Sequence, residues 1–263
     1  MRLHMAASPS NWAHPCAAVC QCPRGWALSV PFVAAVVEGQ QEAHVALKIL
    51  LQHHANPFAV RSSGVGEDAT IASFAGQHFM ELNCIGYDGV VEGIHSVWKS
   101  GHSDGARAYR AKLGITAEPR TAVTLQKMVF PECAGVMFTR HPVTGADEIV
   151  IEASWGLGEA IVEGLVIPDH FRFGKAGELR ERRAGTKDLM IRALPEGGVE
   201  ESSIDDPDKV NGFCINDAHL AELVALAMKC EAHFGPGRDI EWGIENDLLY
   251  LLQCRTITTG LPA

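Results

Sequence analysis

The chain has 263 residues, 47% of them hydrophobic and 21% charged, which is enough for one large domain or two lobes with a real core. Its formal net charge of −10 argues against nucleic acid as a partner, because binders of that backbone carry a basic footprint. No apolar run approaches the roughly 20 residues that span a bilayer, and the start MRLHMAASPSNWAHPC lacks the apolar core of a secretory signal, so no membrane partner and a cytoplasmic location are expected.

Residues 1–22 show no periodicity and read as an irregular tail. Cys16, Cys20 and Cys22 cluster near His14, but their spacing fits no standard zinc pattern, and the 8 Cys are expected to be reduced thiols. Residues 34–54 read as helical, broken at Gly39; Val45, Leu47, Ile49 and Leu50 recur at mixed spacing, which predicts a partly buried helix. Phe58 to Val60 is a short strand that delivers Arg61 into a loop rich in Gly, Ser, Glu and Asp. Phe79 to Leu82 reads as a strand, and residues 89–113 as one helix with Val90, Ile94, Val97 and Trp98 on one face.

AVTLQKMV, GVMFT and EIVIEAS then read as three strands of one antiparallel meander. Gly156-Leu157-Gly158 opens a short helix, residues 171–182 form a hairpin, and residues 195–211 read as loops. Asp217 to Phe234 is an amphipathic helix with Leu220, Leu223, Val224 and Ala227 inward. Two strands close the chain, 239–244 and 248–254. Meanders mixed with separate helices predict an α+β fold and not a doubly wound parallel sheet.

The terminal hairpin carries the densest chemistry. Asp239 and Glu241 are two apart on a strand, as are Gln253 and Arg255, so each pair shares a face. If residues 245–247 form the loop, all four fall on one face and Ile240, Trp242, Leu252 and Cys254 on the other. A two-residue turn reverses that relation. Two carboxylates, an amide and a guanidinium on one face suit Mg²⁺ and a polyphosphate. The ordinary alternative is a pair of exposed cross-strand ion pairs.

The loop in FAVRSSGVGEDATIASFAGQ has backbone N–H groups suited to wrapping phosphate, with Arg61 as a charged fork. Without further support it reads more readily as an ordinary surface loop. EASWGLGEAIVEGLVIPD allows a tight turn into a helix whose N-terminus is open to an anion, though it is not the GxGxxG fingerprint and such a motif alone is more often structural. The sequence holds no Walker A motif, no GxSxG elbow and no HExxH pair.

Five segments in order resemble one family: AVRSSGVGEDATIASFAGQ, LQKMV, GVMFTRHPVTG, EASWGLGEAIVEGLVIPD and DIEWGIENDLLYLLQCRTIT. They are similar to the N-terminal nucleotide-binding domain of phosphoenolpyruvate synthase and pyruvate phosphate dikinase, a domain that rifampicin phosphotransferase shares. The resemblance runs from about residue 23 to residue 258. It implies an ATP-grasp fold, α+β, with two lobes around a nucleotide cleft, expected here at residues 23–117 and 118–263. It implies ATP and Mg²⁺ as cofactors. By resemblance Arg61 binds phosphate, the backbone of Gly76 approaches the nucleotide, and Gln126 with Lys127, Met128 and Val129 lies beside the adenine. Glu241 and Gln253 hold the metal, with Asp239 beside them, and Arg255 contacts the phosphates. Arg61 and Arg255 are the implied catalytic pair. The implied activity passes a phosphoryl group from ATP to a histidine on a separate domain.

Several positions depart from the family's pattern. No Gly-Gly-Lys segment precedes Pro23, the stretch between Trp26 and Ala59 is short, Met80 stands for a common threonine, and His141 for an aspartate. The chain ends shortly after Thr258, so the phosphohistidine domain is expected on a partner or a longer parent. The competing expectation is a nucleotide-binding module without turnover, or a fragment of such an enzyme. An ATP-grasp ligase forming an acyl phosphate is a third reading, which the dikinase-like order of motifs disfavours.

Overall fold

Residues 20–54, 57–64, 80–112 and 119–257 are described by a computed structural model. They fall into two units, one containing Arg24–Met128 with Ala193–Val199, the other containing Val129–Arg192 with residues 200–257 and 20–23. Each unit mixes helices with an antiparallel sheet, as the α+β expectation requires.

The first unit opens with β1 (Gly25–Leu28) and α1 (Val30–Val37). Pro31 in the first turn of α1 starts the helix earlier than residue 34, because its fixed φ suits that position and its missing N–H is not needed there. Gly39, at φ +75, separates α1 from α2 (Gln41–Gln52). On α2 the buried side chains are Ala43, Leu47 and Leu51, one turn apart. Val45 and Ile49 lie off that stripe and are 49% and 51% exposed, as in a partly buried helix.

β2 (Phe58–Gly64), β3 (Met80–Cys84), α3 (Gly86–Gly101), α4 (Asp104–Lys112) and β4 (Thr121–Lys127) complete this unit. The single helix expected over residues 89–113 is two. The break follows α3, where the ring of His102 stacks on Trp98 and its Nδ1 meets Trp98 O at 2.7 Å. The sheet order is β1-β4-β2-β3. β4 pairs with β1 and β2, so it is no part of a meander with the strands that follow it. The first unit therefore runs on to Met128, where the sequence reading had set the lobe boundary at 117/118. Phe58, Val60, Val123 and Leu125 line one face of this sheet and join Phe32, Val33, Leu47, Ile94 and Val97 in a continuous apolar core.

The second unit is built on a six-stranded sheet of β5 (Cys133–Phe138), β6 (Glu148–Trp155), β7 (Asp169–Gly174), β8 (Leu179–Arg183), β11 (Arg238–Glu245) and β12 (Leu248–Thr256). Its order is β12-β11-β5-β6-β7-β8. The period of two sorts it cleanly. Met137, Ile149, Ile151, Phe171, Ile240 and Trp242 share one face by register and are buried. Trp242 lies over Gly135, where an added Cβ would sit 2.7 Å from the indole and 1.9 Å from Glu152 O.

Residues 195–211, expected as loops, instead hold β10 (Val199–Ser203), which pairs with β9 (Leu189–Ala193), and the short α6 (Pro207–Asn211). The low apolar content of VEESS hid that strand. α5 (Glu159–Val162) is one turn of four residues, too short to supply the helix dipole expected there for an anion. α7 (Asp217–Phe234) spans the residues expected of it. Asn216 caps its start by accepting from His219 N at 2.9 Å, and Gly235 at φ 90 ends it. The helix lies against β11 and β12 and buries Leu220, Leu223, Leu226, Ala227 and Cys230.

Candidate functional site

Within the second unit, the terminal hairpin turns at Asn246 and Asp247, whose φ values of 51 and 59 belong to a two-residue type I′ turn. The three-residue loop considered from sequence does not form. Continued unchanged, the register of this turn would set Glu241 opposite Leu252 and send Gln253 and Arg255 to the other face. A bulge prevents it. Trp242 pairs with Leu251, and the next pairs are Glu241 with Gln253 and Asp239 with Arg255, leaving Leu252 as the extra residue. The four polar residues therefore share one face by a route the loop length alone would have ruled out.

Arg255 Nε donates to Asp239 Oδ2 at 2.8 Å. Burial pushes the Asp239 carboxyl above its ordinary value; Arg255 pulls it down without fully offsetting this, and Glu241 adds to the rise. Two polar anchors hold the turn end: Glu245 accepts from Phe130 N at 3.0 Å, and Glu132 accepts from Asn246 N at 3.1 Å. At the other end of β11, Arg238 N donates to Thr139 Oγ1 at 2.8 Å, and Thr139 Oγ1 donates to Glu231 Oε1 at 2.6 Å. Lys175 Nζ donates to Glu231 Oε2 and to Thr139 O, each at 2.6 Å. Burial works to raise the Glu231 carboxyl, but the bonds from Lys175, Thr139 and Gly237 together hold it below the usual range.

Within the first unit, Arg61 on β2 lies opposite Thr124 of β4 and Met80 of β3. Gln126 lies opposite Ala59, so by period two it shares a face with Arg61, away from the face lined by Phe58 and Val60. Gln126 is buried and Lys127 exposed. After Lys127 the chain leaves the sheet, with Lys127 N donating to Arg24 O at 2.7 Å and Met128 N to Pro57 O at 3.0 Å. Met128 and Val129 are buried. Gly76 lies outside the described residues.

Glu241 and Gln253, paired across strands, offer hard oxygen donors. Among the described residues no cluster of three or more His, Cys, Asp or Glu side chains is arranged to hold a metal by itself. A donor set this small fits Mg²⁺, which keeps several waters and takes phosphate oxygens as ligands, and does not fit a metal that needs an all-protein cage.

The sequence model of the family described as "Pyruvate phosphate dikinase, AMP/ATP-binding domain" matches residues 16–261. The chain belongs to this family. It is 39% identical over 207 residues to rifampicin phosphotransferase of Bacillus subtilis, covering 78% of this chain and 24% of that protein. It is 41% identical over 203 residues to a probable phosphoenolpyruvate synthase of Archaeoglobus fulgidus, covering 76% and 27%. With the phosphoenolpyruvate synthase of Pyrococcus furiosus it shares 37% identity over 231 residues, covering 84% and 27%. The chain thus spans 24% to 27% of the length of these curated relatives. It is a member of an ATP-binding domain family found in phosphotransferases.

Sequence reasoning passed over some of the best-held polar groups in this dikinase-family domain. Asp169 and Lys187, both 0% exposed, pair at 2.6 Å, and Asp169 also accepts from Gly185 N and Cys214 N, each at 2.8 Å. In the first unit Asn83, at φ 54, donates to Leu194 O at 2.7 Å and Gly198 O at 2.8 Å. A buried Asp and Lys eighteen residues apart carry no local sequence pattern.

Proposed function

We propose that this chain is the ATP- and Mg²⁺-binding, phosphoryl-donating part of a dikinase-type phosphotransferase, passing a phosphoryl group from ATP to a histidine on a separate domain. The observation that carries the reading is the bulged hairpin, which sets Asp239, Glu241, Gln253 and Arg255 on one face at the cost of a partly buried, incompletely neutralised carboxylate. Two carboxylates, an amide and a guanidinium side by side suit a cation and an anion bound together.

In this reading Glu241 and Gln253 hold Mg²⁺, with Asp239 fixing the position of Arg255. When bound, Mg²⁺ neutralises charge on the phosphate oxygens. Arg255 and Arg61 contact the phosphates and stabilise charge on the transferred group. The backbone at Gly76 approaches the nucleotide, and Gln126 with Lys127, Met128 and Val129 lies beside the adenine. The phosphate-wrapping loop after Arg61 and the two-lobed ATP-grasp arrangement belong to the same reading. So does a cytoplasmic setting.

Isothermal titration with Mg·ATP tests the binding half. Glu241→Ala is expected to abolish Mg²⁺-dependent ATP binding; an unchanged affinity refutes the metal assignment. Phosphate-labelled ATP with an added phosphohistidine domain tests the donating half, with label expected on the histidine. A second reading is a nucleotide-binding module without turnover. Binding with no label transferred would favour that reading.

A further inference from the structure

Cys133 and Cys214 lie far apart in sequence and together in space. Cys133 opens β5, where its neighbours across the sheet are Trp155 of β6 and Ile244 of β11. Cys214 lies between α6 and α7, flanked by Phe213, whose ring packs 5.4 Å from Phe171, and by the buried Ile215. The Cys214 amide is held by Asp169, itself locked to Lys187. The two sulfurs are 3.0 Å apart. A disulfide needs about 2.05 Å, so the bond is within roughly 1 Å of forming. The local pair Cys20 and Cys22, by contrast, has its sulfurs 3.8 Å apart.

We propose that Cys133 and Cys214 are a modification site, a dithiol that a hydroperoxide closes into an intramolecular disulfide within the second unit. Cys214, the less buried of the two, reacts first: its sulfur attacks one peroxide oxygen, the O–O bond breaks, the thiol proton passes to the departing oxygen, which leaves as the alcohol or water, and Cys214 becomes a sulfenic acid. The buried Cys133 sulfur then attacks the Cys214 sulfur, the S–OH bond breaks and water leaves. Two thiols and one hydroperoxide give one disulfide, one alcohol or water, and one further water. Burial, then Cys133, then Asp169 push the Cys214 thiol well above its ordinary value, so little of it is thiolate and closure is slow, carried by the nearness of the two sulfurs and not by an activated thiol.

Closure would tie the segment before α7 to β5, the strand that pairs with the Glu241-bearing β11. It also closes a loop of 81 residues that contains Asp169 and Lys187, which restricts the unfolded chain far more than the native one. The inference is independent of the nucleotide reading, since it rests on sulfurs that no proposed ligand contact uses.

The test treats the full-length chain with hydrogen peroxide, alkylates the remaining thiols and maps the non-reduced peptides by mass spectrometry. A linked Cys133–Cys214 peptide, lighter by two hydrogen atoms and released by dithiothreitol, is expected. The oxidised chain should melt roughly 5–10 °C higher than the reduced chain, a rise absent in Cys214→Ser and in Cys133→Ala. Recovery of both cysteines alkylated, or linkage of either one to a different cysteine, overturns the proposal. Mapping the wild-type chain keeps the test decisive even if either variant folds poorly.

Discussion

Asp169 pairs with Lys187 where both side chains are 0% exposed, whereas Asp239 pairs with Arg255 where the side chains are 13% and 29% exposed. The first carboxylate is saturated: a lysine and two backbone amides occupy it. The second is not. Burial still holds Asp239 above its ordinary value despite the guanidinium, and the Glu241 carboxylate on the same face adds to the imbalance. A buried charge held by a lysine and two backbone amides is a structural fixture, costly to break but inert. A carboxyl that burial and a neighbouring carboxylate hold above its ordinary value is a place where a bound cation relieves a standing cost. The contrast separates the part of the second unit that holds the fold from the part that is a candidate for chemistry.

The largest effect should come from breaking the saturated pair. Lys187→Met leaves the Asp169 carboxylate buried and unpaired, and should cost about 3–5 kcal/mol in urea denaturation. A loss below about 1 kcal/mol would mean that the pair is not the fixture described. Next, Asp239→Asn should change stability by no more than about 1 kcal/mol while weakening Mg·ATP binding at least about tenfold by titration. Equal effects of the two substitutions on stability would erase the distinction between the sites.

The pH dependence separates Asp239 from Glu231. The folded value of Glu231 lies below its ordinary value, so its contribution is fully present above the ordinary carboxylate range and is lost as pH falls through the folded value. Asp239 lies above its ordinary value, so its contribution is present below that value and is lost as pH rises through the folded one. Melting curves between about pH 3 and pH 7 should show Glu231→Gln flattening the acid-side loss and Asp239→Asn flattening the loss toward neutral pH. The smallest effect belongs to the turn. Asp247→Gly relieves a left-handed backbone and should raise stability by about 0.5 kcal/mol, measured by the denaturation midpoint.

Much was legible from sequence because it is local. The span of α7 follows from apolar residues at helical spacing between an Asn and a Gly, and these short-range signals act without the rest of the chain. The strands of the terminal hairpin, and the alternation that puts Ile240 and Trp242 inside, follow equally from period two. The ordered motifs were enough to name the family, because motif order is a property of the chain. Whether Asp239, Glu241, Gln253 and Arg255 meet was not legible. It depends on a two-residue turn and a bulge at Leu252, two register choices that cancel, and register is set by what the neighbouring strands bury. The placement of β4 in the first sheet, the pairing of Asp169 with Lys187 and the approach of Cys133 to Cys214 likewise join residues that no sequence period links. The sequence by itself determined which residues could share a strand face or a helix stripe. Tertiary packing decided which faces met, because partner choice and register are paid in burial across the whole sheet.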